Sequence, residues 1–332
     1  MNIMEKEPVE LTQGETIKRK QIDIHTLTIY IGTVAIYFIF AVICAVVGRN
    51  FLTWIIISNI IVQASIVAVV AIGASYVILT GGIDLSVGSI IGLIGIVCGL
   101  MIKAGIPIIL TFIISIIIGG IFGLINGVMI SRGKLPPFIM TLGMMSIARG
   151  ITLTITGGNP VAGFPMTLGD YANITLLGIP VFIIYVIVFY ALMVYVSTRT
   201  KFGRHVYAIG GNRNAARLSG VKVRKVEVLV YVIAGVFAAI GGLMLLSRLS
   251  YAAAAGGEGY ELDVIAAVVI GGISLSGGEG KVVNTLVGAL MLGILKCGMQ
   301  ILNLNTYYQQ IATGLVITIA VFIDKAKERK AE

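Results

Sequence analysis

The sequence predicts an all-α integral membrane protein of about ten transmembrane helices, built as two related halves with both termini in the cytoplasm. Three observations lead there. Of the 332 residues, 58% are hydrophobic and only 12% are charged, about half the charge of an ordinary soluble domain. The apolar residues gather into runs long enough to cross a bilayer. An eight-residue glycine motif occurs twice, 190 positions apart. So little charge cannot cover so large an apolar core in water, which excludes a cytosolic enzyme, a disordered chain and a DNA-binding domain. The 42 glycines have no period, which excludes a collagen-like chain.

The spans follow from length. A membrane helix needs about 20 mostly apolar residues. Candidate runs lie at 27–47, 54–80, 86–102, 106–130, 138–156, 179–196, 229–247, 261–275, 282–301 and 307–323. The first is too long for a signal-peptide core of about 7–15 residues. These runs lack the alternation of barrel strands, so lipid leaves a helical bundle. The resulting division is a cytoplasmic N-terminal tail at 1–26, a polytopic domain at 27–325 and a cytoplasmic C-terminal tail at 326–332.

Charge sets the orientation. Lys and Arg total 24 against 15 Asp and Glu, a net charge of +9. With the N-terminus inside, 19 basic residues fall on the cytoplasmic side and only Arg49, Lys103 and Arg248 outside. Arg149 and Lys296 lie within spans. This is the positive-inside pattern, and it accounts for the basic charge without nucleic acid.

The repeat is Gly81-Gly82-Ile83-Asp84-Leu85-Ser86-Val87-Gly88 against Gly271-Gly272-Ile273-Ser274-Leu275-Ser276-Gly277-Gly278, with six of eight positions identical. Both copies face the cytoplasm. Paired glycine-interrupted segments in two halves point to a transporter core. Gly81, Gly82, Asp84, Ser86, Gly271, Gly272 and Ser276 are the gate candidates.

Other motifs are excluded or left open. Leu275-Ser276-Gly277-Gly278-Glu279 resembles the signature of a cassette ATPase, and Gly280-Lys281 a phosphate loop. Leu275 stands where that loop needs Gly and Val282 where it needs a hydroxyl, and no soluble stretch is large enough for a nucleotide-binding domain. The chain therefore has no ATPase site of its own. Cys44, Cys98 and Cys297 sit in apolar runs without metal spacing. His25 and His205 lie outside the spans, so no hydrolytic or metal constellation forms. Polar residues inside spans need partners. Asn59, Gln63, Asn126 and Arg149 are candidates for the substrate path, and Lys296 is a second intramembrane charge.

The cytoplasmic loop 197–228 is strongly basic. Asn212 can cap a short helix over 213–219 and Gly220 can end it. Such a helix suits docking to another protein, lying on the lipid surface, or a solvated basic loop.

Taken together, the motifs resemble the membrane permeases of ribose/galactose-type sugar importers driven by ATP-binding cassettes. The resemblance runs from about 50 to 325 and rests on residues 79–88, Gly123-Leu124-Ile125-Asn126-Gly127, residues 137–142, Gly157-Gly158-Asn159-Pro160, Phe202-Gly203-Arg204, residues 208–212, and residues 260–267 leading into Gly271-Gly272. It implies a bacterial cytoplasmic-membrane permease subunit that translocates a ribose-like monosaccharide. It also implies a second permease chain, a homodimer in this reading, two cytoplasmic ATPase units that are fused in some members, and an extracytoplasmic sugar-binding protein. ATP and Mg would sit on the ATPase, with no cofactor on this chain. The Ala-Ala-x-x-x-Gly spacing of importer docking loops matches Ala215, Ala216 and Gly220, so Asn214, Ala215, Ala216, Arg217, Leu218 and Gly220 would couple to the ATPase. Asn214 replaces the acidic residue of the general pattern. The alternatives are a gradient-driven secondary transporter, disfavoured by the lack of Asp/Glu relays, a non-transporting membrane scaffold or signalling subunit, and import of a nucleoside, polyol or furanosyl signal molecule by the same fold.

Overall fold

The computed structural model describes residues 24–164, 174–176 and 179–331. Most of the N-terminal tail and part of the 157–178 segment lie outside the described residues. The described chain is helical apart from one two-residue strand pair, Thr175–Leu176 with Ile179–Pro180. In order, the helices are α1 (Ile24–Val46), α2 (Trp54–Leu79), α3 (Val87–Lys103), α4 (Ile108–Ser131), α5 (Pro137–Thr156) and α6 (Val181–Arg199). Next come α7 (Lys201–Gly211), α8 (Arg213–Leu218), α9 (Val223–Leu249), α10 (Tyr260–Ile270), α11 (Thr285–Ile301) and α12 (Thr306–Ala331).

Seven of the described helices are long and apolar enough to cross a membrane: α1, α2, α4, α5, α6, α9, and α11 with the 3-10 turn before it. Helix α3, with 17 residues, and α10, with 11, are shorter. Each of the ten apolar runs contains one helix, but the run at 261–275 is helical only to Ile270.

Two helices form the centre. Every residue of α2 from Ala64 to Leu79 is buried, and α9 is buried along most of its length. Small residues let them meet: a Cβ on Gly73 would fall 2.7 Å from Cα of Ala234. Helix α4 packs on α9 through Gly119, Gly123 and Gly127, spaced by four so that they form one stripe. A Cβ on Gly127 would lie 2.8 Å from Cα of Val228, and one on Gly123 would run into the carbonyl of Tyr231. In lipid, apolar surface gives little drive to associate, so such close packing is the main source of helix adhesion. The outward faces of α1, α4, α5 and α6 carry exposed Ile, Leu, Val and Phe, as a lipid-facing surface does.

Gly123→Val should overpack this seam and destabilise the protein by about 1–3 kcal/mol. Gly143→Val is the matched control, because nothing lies within 4 Å of that position. Heating in detergent followed by size-exclusion chromatography should separate the two, with only the first variant losing folded protein early.

Candidate functional site: a glycine junction and a cavity at the basic end

Helix α9 has 27 residues and is about 40 Å long, so it separates two ends of the bundle. Lys134, Arg213, Arg217 and Arg224 line one cavity at its start. At its far end Val161 and Ala252 pair by backbone hydrogen bonds, beside Arg248. The two ends thus differ in charge, as the loop count predicts.

At the basic end the two repeat copies meet. Helix α2 stops at Leu79, and Gly81 turns left-handed at φ +78°; its N–H donates to Ile78 and that of Gly82 to Val77. Helix α10 stops in the same way, with Gly272 at φ +83°, its N–H on Val269, and the N–H of Ile273 on Val268. Glycine takes both left-handed positions without the Cβ penalty of other residues. The stops are one residue out of register with the sequence repeat, but the turns after them are in register: Asp84 accepts from the Ser86 N–H at 2.9 Å, and Ser274 from the Ser276 N–H at 3.2 Å. Beyond that the copies diverge. Ser86 leads directly into α3, whereas Gly277, Gly278 and Gly280, all at positive φ, continue as a loop.

A third segment closes this junction. The Gly278 N–H donates to Leu79 O at 2.9 Å. A Cβ on Gly277 would lie 2.8 Å from Gly81 N and 3.1 Å from Gly210 Cα, and one on Gly278 would lie 2.6 Å from Gly211 N. Helix α7 therefore touches both copies backbone to backbone. Its Tyr207 hydroxyl donates to Gly280 O at 2.8 Å; burial pushes that phenol above its usual range, which keeps it a donor. Helix α8 follows directly, with Asn212 Oδ1 accepting from the Ala215 N–H at 2.9 Å and Gly220 left-handed at φ +85°. The cap and stop read from the sequence thus form. Ala216 is buried and Leu218 is 83% exposed.

The first break holds a buried polar cluster. Asp84, Ser86 and Asn126 are all buried. The Ser86 hydroxyl donates to Asp84 Oδ1 at 2.6 Å, and Asn126 Nδ2 donates to that hydroxyl at 3.0 Å. Asn126 thus belongs with the repeat residues. The other path candidates lie elsewhere: Asn59 is exposed and Gln63 half-buried on the first half of α2. Arg149 lies against the segment after α9, donating to Ala254 O at 2.6 Å and Gly256 O at 3.2 Å.

That segment is what the sequence reading missed. Residues 250–259 fold back into the bundle along α3, where Gly92 faces Gly256, and Gly88 faces Gly257 and Glu261. Helix α10 consequently starts in the interior as a half-length helix, the discontinuous kind that lines transporter sites. The small-residue run Ala252–Gly257 was its available signal. Lys296 on α11 pairs with the buried Asp263 on α10, which anchors that half-helix and answers the need for a partner.

The arrangement is that of a polytopic transport protein: membrane-length helices around paired helix breaks, with α7 of the basic loop touching both. The profile of the family described as branched-chain amino acid transport system / permease component matches residues 56–321, and the chain belongs to this family. The ribose import permease protein of Bacillus subtilis (strain 168) is 42% identical over 292 residues, 87% of this chain and 91% of the relative. That of Escherichia coli (strain K12) is 41% identical over 291 residues, covering 86% and 90%. The D-allose transport system permease protein of the same strain is 38% identical over 294 residues, covering 87% and 90%. No solved structure matches the chain. The protein is a multi-pass permease component of the bacterial inner membrane.

Removing either partner of the Asp263–Lys296 pair strands a charge in the bundle, at a cost of about 3–5 kcal/mol. Lys296→Met or Asp263→Asn alone should sharply reduce the yield of folded protein in detergent. The double variant should recover most of it.

Proposed function

We propose that this chain is the membrane-spanning subunit of an ATP-driven importer and that it translocates a ribose-like pentose or related monosaccharide. In this reading all ten helical runs, with the short α3 and α10 and the charged-ended α12 included, lie in the membrane domain, and both termini are cytoplasmic. Two ATP-binding-cassette units bind below and carry ATP and Mg. An extracytoplasmic binding protein delivers the sugar from the other side, and two copies of this chain form the pathway. Exposed Asn59 supports a second chain, since an amide on an outward membrane face needs a hydrogen-bonding partner.

The observation that carries the reading is the contact of α7 with both helix breaks. A push or pull on α8 reaches Leu79–Gly81 and Gly277–Gly278 through backbone, with no flexible side chain between. ATP binding closes the ATPase pair and moves α8, and both breaks shift together. The pathway then opens toward the docked binding protein, and hydrolysis resets it. Asn126, buried beside Ser86 at the start of α3, and Arg149, beside Gly92 less than two turns further along it, supply polar groups to a passing sugar once the breaks shift. The family's description names amino acids, so the family alone does not set the solute; the ribose and allose relatives favour a sugar.

Co-expression with its neighbouring genes tests the proposal. Extraction in mild detergent should recover a complex of two permease chains with two ATPase units, or with one fused chain. Leu218→Asp should remove the ATPase while leaving the permease inserted. Recovery of the permease alone, with sugar uptake that persists without the ATPase, would sink the ATP-driven reading.

A further inference from the structure

The cavity at the basic end, about 680 Å³ in volume, is lined by the coupling candidates Asn214 and Arg217 together with charged residues to which the coupling reading gives no role. Helix α8 contributes Arg213, Asn214 and Arg217, α9 contributes Arg224 and Glu227, and the end of α4 and its turn contribute Ser131 and Lys134. Four cations thus face one carboxylate. Glu227 is already engaged, with Arg213 Nη2 2.8 Å from Oε1 and 2.9 Å from Oε2, and Arg224 lies near enough to act on the same carboxylate. Among the described residues, no ion pair joins Lys134 or Arg217 to an acid. The lining therefore keeps a strong positive excess.

Two features of the wall belong to the end of α4. Ser131 is buried, and its hydroxyl makes no hydrogen bond. Lys134, at φ +56°, takes the left-handed turn that follows α4, as Ser250 and Asn303 do after α9 and α11, and that turn sets Lys134 on the cavity wall.

We propose that this cavity binds the phosphate headgroup of an anionic phospholipid. Phosphate chemistry matches forked Arg donors beside a Lys ammonium. The geometry of α8 argues for lipid rather than the ATPase. Arg213 and Arg217, four residues apart, share the face that lines the cavity, while Ala215 and Leu218 lie a quarter turn or more round the helix from them and Asn214 sits at the edge between, so the docking face stays free when the cavity is filled. Thr80, Gly81, Gly82 and Tyr231 of the first break reach one side of the cavity, and the side toward α5 is apolar, with Ile130, Leu135, Pro136 and Pro137. It adjoins exposed Met129 and Phe138 on α4 and α5, a surface along which acyl chains can lie. Basic pockets between membrane helices at the cytoplasmic face are suited to such headgroups. The inference rests on the proposed orientation, which places this end at the inner leaflet.

The test is native mass spectrometry of the full chain, released from nanodiscs of phosphatidylcholine with or without phosphatidylglycerol. The wild type should retain phosphatidylglycerol. Each of Lys134→Gln, Arg217→Gln and Arg224→Gln should weaken retention about fivefold, and the triple variant about a hundredfold. Lys103→Gln, at the other end, should change nothing. Unaltered thermal stability of the triple variant excludes misfolding as the cause, and if the triple is unstable the three single variants carry the comparison. Equal retention by wild type and triple variant would overturn the proposal. So would displacement of the lipid by added ATPase, which would assign the cavity to docking, or binding of inorganic phosphate with the same charge dependence but no retained lipid. Labelling of Lys134→Cys from each side of the membrane reads orientation separately. A lipid failure with Lys134 inside would therefore sink this site and leave the importer reading intact.

Discussion

The rest of the structure depends on three backbone segments touching at one point. Leu79–Gly81, Gly210–Gly211 and Gly277–Gly278 approach so closely that a Cβ at Gly277 or Gly278 would meet backbone at under 3 Å. The contact is backbone to backbone, with the Tyr207 hydroxyl on Gly280 O beside it. Such a joint has little slack, because packed backbones move together rather than deform. It joins the end of α2, the loop after α10, and the helix that leads into α8. The central helix, the second repeat and the basic loop are therefore one mechanical unit. The transport mechanism proposed above needs that unity and little else at this end of the bundle.

Inside the bundle, polar groups appear where the backbone is interrupted. Lipid offers no hydrogen bonds, so broken helices persist only where protein satisfies them. Arg149 answers the carbonyls of Ala254 and Gly256 in the inward-folded segment. Asp263 and Lys296 pair across α10 and α11. Asp84, Ser86 and Asn126 gather at the first break. The charges that seem costly in a membrane chain thus hold the discontinuities that make it more than a bundle of rods. The same logic gives α10 its length: it begins where residue 259 ends inside the protein, and stops at the glycine pair that returns the chain to the basic end.

Much of this was legible in the sequence. The apolar runs marked every described helix except α7 and α8 of the basic loop, because membrane burial demands length and leaves few other patterns; α7, polar on one side, carried no such mark. The glycine repeat marked both breaks, since glycine takes the left-handed turns at Gly81 and Gly272 most readily. Asn212 and Gly220 marked α8 through local capping chemistry, which needs no tertiary context. What the sequence did not show was tertiary. The segment 250–259 is small and weakly apolar, and only its packing against Gly88 and Gly92 reveals that it enters the bundle. Lys296 announced a missing partner but not which acid would supply it. Asn59, Gln63, Asn126 and Arg149 look alike as polar residues in spans, yet they occupy different levels, because the direction a side chain faces depends on neighbours distant in sequence. Gly119, Gly123 and Gly127 form a stripe that spacing alone could have flagged.

The most direct test is the rigidity of the glycine joint during transport. Spin labels on exposed Arg204 in α7 and exposed Glu279 in the second break report the distance across it by pulsed electron resonance. The complete transporter would be measured without nucleotide and with ATP trapped. The account predicts that this distance changes by less than about 2 Å, the scale of small helix shifts, while labels across the two permease chains move further. A change of a full helical turn, about 5 Å, would mean that α7 slides past the breaks, and the joint would not be what couples them.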